Sequence, residues 1–354
     1  MRQIERVTIK HVAQQAGVST QTVSRVINER PDVASETRKR VLGVIQSLGY
    51  QPSELARSLI QRRSYMIGVV TAGLKFIGGP GRALNGITSA AEELGYALLL
   101  KELSSFDSDN FTSHQIRPLI QSLLARQVDG ILWAVPDVGD NHAWVEKEID
   151  AVQSPIVFLS MQTRPNLPVV CFDNYLGGQL ATQHLLDLGR QCIGHISGPL
   201  DWWEARERKR AWEDTLRTAG QEPETGLCVT GNWSAQSGAE AFIQLLDSFP
   251  ALDGIFVAND QMALSVLQIA CRRGLCIPDD LAVVGFDDLA ESAYFWPPLT
   301  TIRQDQTELG RCAVYELVNR VEALHDGIRL PDPLSVVLTP QLMIRESSRQ
   351  TVTT

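Results

Sequence analysis

Between Gly17 and Asn28 the chain reads GVSTQTVSRVIN, which gathers hydroxyls at Ser19, Thr20, Thr22 and Ser24, an amide at Gln21 and a guanidinium at Arg25. Amides and guanidinium groups pair with base edges, and hydroxyls with phosphate oxygens, so this is a set suited to DNA. A second set lies far along the chain. The segment SGPLDWWEARERKRAW holds Arg206, Arg208 and Arg210 at alternate positions, while Asn259 in VAND and Asp287 in VGFDD each follow an apolar run directly. A guanidinium, an amide and a carboxylate around one pocket can share the hydroxyls of a polyol.

The first set needs a helix to present it. Thr8 is placed to cap a helix over residues 9–15 with Ile9, Val12, Ala13 and Ala16 on one face, and Gly17 to end it. Ser19 caps a second helix with Val23, Val26 and Ile27 inward. Ser35 is expected to cap a third, residues 36–48, burying Val41, Leu42, Ile45 and Leu48 before the stop at Gly49. Two helices joined by Ala-Gly-Val-Ser form a helix-turn-helix whose second helix enters a DNA major groove. Charge agrees: residues 1–63 hold eleven Lys/Arg against five Asp/Glu, about +6, whereas the remainder is about −15 within a net −9. An anionic partner is thus expected for the head alone.

The second set needs strand ends. From Tyr65 onward short apolar runs alternate with amphipathic stretches, with strands expected at 66–70, 97–100, 130–134, 156–159, 193–196, 254–257 and 282–286, which is the texture of a parallel sheet flanked by helices. The segment IGVV at Ile67 returns as IGHI at Ile193, ELGY at Glu93 as TAGQ at Thr218, and VDGILWAVP at Val128 as LDGIFVAND at Leu252. Three echoes in order at nearly one offset predict two lobes of like topology, with ligand space at the carboxyl ends of their strands. Arg206, Arg208 and Arg210 cannot all face that space, because alternate positions on a helix point to different sides.

Other chemistry is excluded. The six cysteines are scattered without a CxxC pair and apart from the histidines, so they read as buried thiols and no metal or other cofactor is implied. GPGRAL at Gly79 lacks the third glycine of a dinucleotide loop, GHISG at Gly194 misses the nucleophile-elbow register, and adjacent Asp287 and Asp288 at a strand end must diverge. An α/β enzyme is disfavoured on these grounds. No apolar run of signal-peptide or membrane-spanning length occurs, so a cytoplasmic protein is expected rather than an exported solute-binding one.

Five segments in order, VTIKHVAQQAGVSTQTVSRVIN, LGYQPSELARSL, VANDQMAL, VVGFDD and PPLTTIRQD, resemble the lactose-repressor (LacI/GalR) family of bacterial transcription regulators over nearly the whole chain. The resemblance implies an all-α helix-turn-helix head over 1–50, a hinge helix and linker over 51–63, and a two-lobed α/β effector domain over 64–354 like periplasmic sugar-binding proteins. The N-lobe is expected at about 64–163 and 294–325, the C-lobe at about 164–293 and 326–345. It implies a homodimer on a pseudo-palindromic operator, and the ending RESSRQTVTT carries no apolar heptads for a tetramer tail.

By the same resemblance Thr20, Gln21 and Arg25 face bases, Ser19, Thr22, Ser24 and Asn28 serve the DNA backbone, and Ala56 and Leu59 of the hinge reach the minor groove. Arg208, Asn259, Asp287 and Trp233 fall on effector-binding positions, with Phe76 and Asp173 in the loops nearby. Arg206 and Arg210 are left to the surface or to lobe packing. Ser160 stands where the lactose repressor has an acidic residue and Gln306 where it has an aromatic one, so the pocket is not the lactose pocket. A sugar or sugar derivative is the expected effector, with a purine or nucleoside corepressor as the alternative.

Overall fold

The computed structural model describes residues 7–28, 30–50, 63–72, 79–103, 113–145, 149, 152–328 and 335–349. It divides into two compact units, Met1–Tyr65 and Met66–Thr354.

In the first unit, α1 (Ile9–Ala16), α2 (Thr20–Ile27) and α3 (Ser35–Leu48) close around Val12, Ala13, Ala16, Val23, Val26 and Val41. Gly17 turns the chain at φ 64°, and Val18 N–H returns to Ala13 O at 3.0 Å. A β-carbon would resist that left-handed conformation. Two expectations need correction. The cap position of α3 is Ala34, with Ser35 already helical, and Leu42 is 49% exposed. The inward stripe follows 41, 44, 45 and 48, and a residue one step past 41 is turned about 100° away from it.

Among the described residues of the second unit twelve strands form two six-stranded sheets. The N-lobe sheet has the order β11-β5-β4-β3-β1-β2, from β1 (Met66–Ala72), β2 (Ala97–Leu103), β3 (Gly130–Ala134), β4 (Ile156–Leu159), β5 (Val169–Phe172) and β11 (Val336–Leu338). The C-lobe sheet has the order β12-β10-β9-β8-β6-β7, from β6 (Ile193–Ser197), β7 (Cys228–Thr230), β8 (Gly254–Val257), β9 (Ala282–Asp287), β10 (Thr300–Arg303) and β12 (Gln341–Met343). Strand for strand the two orders coincide, as the internal echoes predict. Helices α4 (Gly79–Glu93), α5 (Ser113–Leu124) and α10 (Gln306–His325) serve the N-lobe. Helices α6 (Asn174–Asp187), α7 (Trp203–Thr218), α8 (Ala235–Ser248) and α9 (Asp260–Arg272) serve the C-lobe.

Lobe membership differs from the expected boundaries. β5 belongs to the N-lobe sheet although it lies beyond residue 163, β10 to the C-lobe sheet although it lies beyond 293, and β11 to the N-lobe sheet although it lies beyond 325. The chain therefore crosses between lobes after β5, after β10 and between β11 and β12. Each lobe completes its sheet with a strand that the sequence places next to the other lobe's elements. Each lobe has its own apolar core, the N-lobe around Trp133 and Phe158, the C-lobe around Phe242 and Phe256.

The expectation of buried thiols also needs correction, since Cys171 is buried but Cys271 and Cys276 are exposed. Among the described residues no helix is long and apolar enough to cross a membrane, and no cluster of metal-ligating side chains occurs.

Candidate functional site

The head presents its set because α2 turns Val23 and Val26 inward, which leaves Thr20, Gln21 and Arg25 exposed. Ser19 Oγ accepts Thr22 N–H at 3.1 Å as the helix cap and lies 2.9 Å from Thr22 Oγ1, while Asn28 Nδ2 donates to Ser24 Oγ at 3.3 Å. Arg25 Nη1 stands 3.4 Å from Asp32 Oδ2 with both side chains about half exposed. A surface pair of that kind is worth about 0–1 kcal/mol, so the guanidinium can leave it for a better acceptor at little cost. Ala56 and Leu59 lie outside the described residues, as does Phe76.

In the second unit Arg208 is a buried, multiply anchored cation. It is 3% exposed on α7. Its Nε donates to Asn174 Oδ1 at 3.0 Å, its Nη1 donates to Ala258 O at 2.6 Å, and the guanidinium lies 3.7 Å over the Phe286 ring. Asn174 is itself fixed by Gln304 Nε2 at 3.2 Å. Arg208 Nη1 is 3.8 Å from Asp287 Oδ1. Burial pushes the Asp287 carboxyl up to about 7 against the pull of Arg208. Arg206 and Arg210 are exposed, the first donating to the carbonyls of Leu200 and Asp201, the second paired with Glu207, as alternate spacing requires.

The turn that aims Asp287 is unusual. Asp287 has φ 106° and Asp288 φ 49°, conformations that cost a non-glycine residue about 1–3 kcal/mol each. Asp288 points the opposite way and accepts Arg303 Nε and Arg345 Nη2, both at 2.6 Å. Charge-assisted bonds of that length offset the strain and hold Asp287 toward Arg208.

Trp233, at φ 71°, sets its ring edge-on to Trp202 at 5.6 Å and 5.7 Å from the Arg208 guanidinium. The indole fits because residue 198 is glycine: a β-carbon there would stand 2.1 Å from the ring. Asn259 caps α9, its Oδ1 accepting Met262 N–H at 3.0 Å, while its Nδ2 donates to Trp233 O at 3.0 Å. Asp173 caps α6 by accepting Leu176 N–H at 2.8 Å. The fold thus brings Arg208, Asp287, Trp233 and Asn259 together. Asp173 is the neighbour of the arginine's anchor, Asn174, with its own carboxylate engaged in the cap.

Beside this cluster a cavity of about 100 Å³ opens at the carboxyl ends of the N-lobe strands. Thr71 and Ser160 line it from strand ends, Gln306 and Leu309 from the start of α10, and Trp202 and Glu204 from the C-lobe. Ser160 and Gln306, the two departures from the lactose-repressor pattern, both face this space, whereas Arg208, Asn259, Asp287 and Trp233 are not among its lining residues. Glu204 and Arg208 stand one helical turn apart, so the cavity and the arginine cluster adjoin along α7.

The lobes meet here through backbone as well. Val138 and Trp202 form a β-bridge, Gly139 N–H reaches Asp201 O at 2.8 Å, and Trp203 N–H reaches Asp137 O at 2.9 Å. Arg82 Nη1 donates from α4 to the carbonyls of Asp287 and Asp288 at 3.4 and 3.3 Å.

Sequence reasoning passed over Asn174, Trp202 and Glu204. For Glu204 the signal was present, because it stands four residues before Arg208 and shares its helix face. Asn174 gave no comparable signal, since its partner is 34 residues away.

Residues 8–53 match the family described as bacterial regulatory proteins, lacI family, and residues 182–348 match the periplasmic binding protein-like domain. The HTH-type transcriptional repressor PurR of Haemophilus influenzae is 31% identical over 346 residues, covering 96% of this chain and 98% of its own. The lactose operon repressor of Escherichia coli is 33% identical over 314 residues, 88% of this chain and 84% of its own. A crystal structure of the lac repressor dimer bound to operator and the anti-inducer ONPF superposes with a TM-score of 0.83 at 32% identity, covering 97% of this chain and 99% of that one. A helix-turn-helix head followed by two lobes of matching strand order, with likeness running the length of the chain, places this protein in the lacI family of bacterial regulatory proteins.

Proposed function

We propose that this lacI-family protein, a ligand-responsive DNA-binding repressor, acts as a cytoplasmic homodimer on a pseudo-palindromic operator and changes its operator affinity when a sugar or sugar derivative enters the cleft between its lobes. Thr20, Gln21 and Arg25 read base edges. Ser19, Thr22, Ser24 and Asn28 hold phosphates and helix ends, and Ala56 and Leu59 act in the minor groove. Arg208 and Asp287 bind effector hydroxyls, Trp233 offers its ring face, Asn259 and Asp173 act through the residues they position, and Phe76 is a further effector contact.

The observation that carries this reading is Arg208. A cation anchored by Asn174 and Ala258, with Asp287 and Trp233 around it, costs a ligand no ordering of its own, and preorganisation of that kind is what a binding site requires. Dimerisation is supported by Tyr294 and Trp296, each 87% exposed, which is a large aromatic surface to leave facing water. The relative crystallised as a dimer on its operator shares this fold over 97% of this chain and 99% of its own. A purine effector remains the second reading. The Trp202–Trp233 pair offers a flat base an aromatic face as readily as it offers one to a sugar ring, and the Haemophilus influenzae relative bears the name PurR.

The test begins with an operator selected from random DNA. Its affinity is then measured with mono- and disaccharides and with purines, and each compound is checked by thermal shift, where ligand at 100 times Kd adds about 2.7 kcal/mol. The reading expects a two-fold symmetric site and a sugar that alters affinity for it. DNA binding indifferent to sequence, or a monomer in sedimentation at micromolar concentration, would contradict it.

A further inference from the structure

Glu204 sits in the first turn of α7 and lines the cavity, and among the described lining residues it is the one charged residue. The remainder is apolar, as at Val69, Ile87 and Leu309, or neutral and polar, as at Thr71, Ser160 and Gln306. No hydrogen bond or ion pair to Glu204 occurs among the described residues. The nearby guanidinium of Arg208 bonds Asn174 and Ala258 and lies over the Phe286 ring, without an ion pair to Glu204. A carboxylate half-withdrawn from water, unpaired and facing an apolar chamber, seeks donors and repels other anions strongly, because little solvent screens it.

We infer that Glu204 sets the charge class of the effector: the cavity takes an uncharged or cationic ring that donates hydrogen bonds to this carboxylate and refuses a ring bearing phosphate or carboxylate. Burial raises the Glu204 pKa and Asp137 adds to the rise, while Arg208 opposes it, as befits an acid held for a donor to satisfy. This inference rests on the reading of the cleft as the effector site. A first-turn acid also suits the helix dipole, but that role makes no demand on which ligand enters.

The experiment uses the full chain and its Glu204→Gln variant. Both are screened by thermal shift and calorimetry against matched neutral, amino, phosphorylated and uronic forms of hexoses, pentoses and disaccharides, with adenine and hypoxanthine as purine probes. The wild type should be stabilised by a neutral or amino member and by none of its anionic counterparts. Glu204→Gln should weaken the amino form at least tenfold relative to the neutral one and admit the phosphorylated form at least tenfold better.

Wild-type stabilisation by a sugar phosphate or uronate at comparable concentration would overturn the charge rule and leave the carbohydrate reading standing. Stabilisation by a neutral purine and by no sugar would overturn the carbohydrate reading and leave the charge rule standing. An unchanged ranking in Glu204→Gln would remove Glu204 from the site, and a panel that shifts neither protein would overturn both statements. The wild-type arm alone tests the charge rule if the variant folds poorly.

Discussion

The proposed DNA-reading helix of the head and the proposed effector cleft of the body each present an arginine, and the structure treats the two in opposite ways. Arg25 is half exposed and, among the described residues, makes a 3.4 Å surface pair with Asp32. Arg208 is buried, held by Asn174, Ala258 and the face of Phe286. A DNA-reading side chain meets its partner at a surface where water and counterions are displaced together, so a free guanidinium loses little by waiting in solvent. A small ligand offers few contacts, and its site gains affinity only if the protein's polar groups are ordered beforehand. The head therefore keeps its donors loose on a small rigid core, whereas the body invests in strained turns and buried charge.

That contrast predicts where each region breaks. All seven tryptophans lie beyond residue 63, so tryptophan fluorescence reports unfolding of the body alone. Gly310 on α10 packs against α4 so tightly that a β-carbon would stand 2.1 Å from Ala83 O. Gly310→Ala should destabilise the body by about 3 kcal/mol or more, since backbone must move rather than a side-chain tip. A fluorescence melt matching wild type would mean that the helices are not locked there.

A smaller effect is expected from protons. The Asp287 carboxyl is pushed up to about 7 in the folded protein from 3.8, and Asp260, buried at the start of α9, to about 6. Between about pH 4 and 7 the folded state holds more protons than the unfolded one, so stability falls as pH rises through that window and levels off above it, by at most a few kcal/mol. Asp287→Asn should flatten the fall between pH 4 and 7. A slope as steep in the variant would assign the effect to Asp260 or another group.

In the head the expectation reverses. Arg25→Ala should leave the tryptophan melt unchanged yet weaken specific DNA binding by about 1–3 kcal/mol and blur one base pair per half-site. A uniform loss across all sequences would put Arg25 on phosphate instead. Least of all should Leu42→Gln matter for folding, within about 0.5 kcal/mol, because Leu42 already faces solvent. A larger loss of operator binding than of stability in that variant would mark α3 as part of the DNA surface.

The same contrast explains what the sequence disclosed. The head was legible to within a residue at most helix ends, because Gly17, Ser19 and the apolar spacing are local signals that each fix a few backbone angles. Strands buried on both faces, such as β3, β4 and β8, stand out as continuous apolar runs. β10 reads Thr-Thr-Ile-Arg and β11 and β12 are three residues each, so nothing marks them until a neighbouring strand is in place. The exchange of β5, β10 and β11 between lobes is hidden for the same reason, since sheet membership is settled by partners far away in sequence. In the site, Arg208 and Asp287 could be anticipated from motif and strand end. Their supports, Asn174, Gln304 and the Asp288 clamp to Arg303 and Arg345, emerge only when distant elements meet.

Control of the head by a ligand at Arg208 is read out by measuring operator affinity of wild type and Arg208→Ala across one ligand titration, with the tryptophan melt as a control for folding. If the ligand is an inducer, the variant should bind operator nearly as wild type does while its response shifts by roughly tens of fold or vanishes. If the ligand is a corepressor, the variant should fail on operator at every ligand concentration. A folded variant whose operator affinity follows ligand along the wild-type curve would contradict the account.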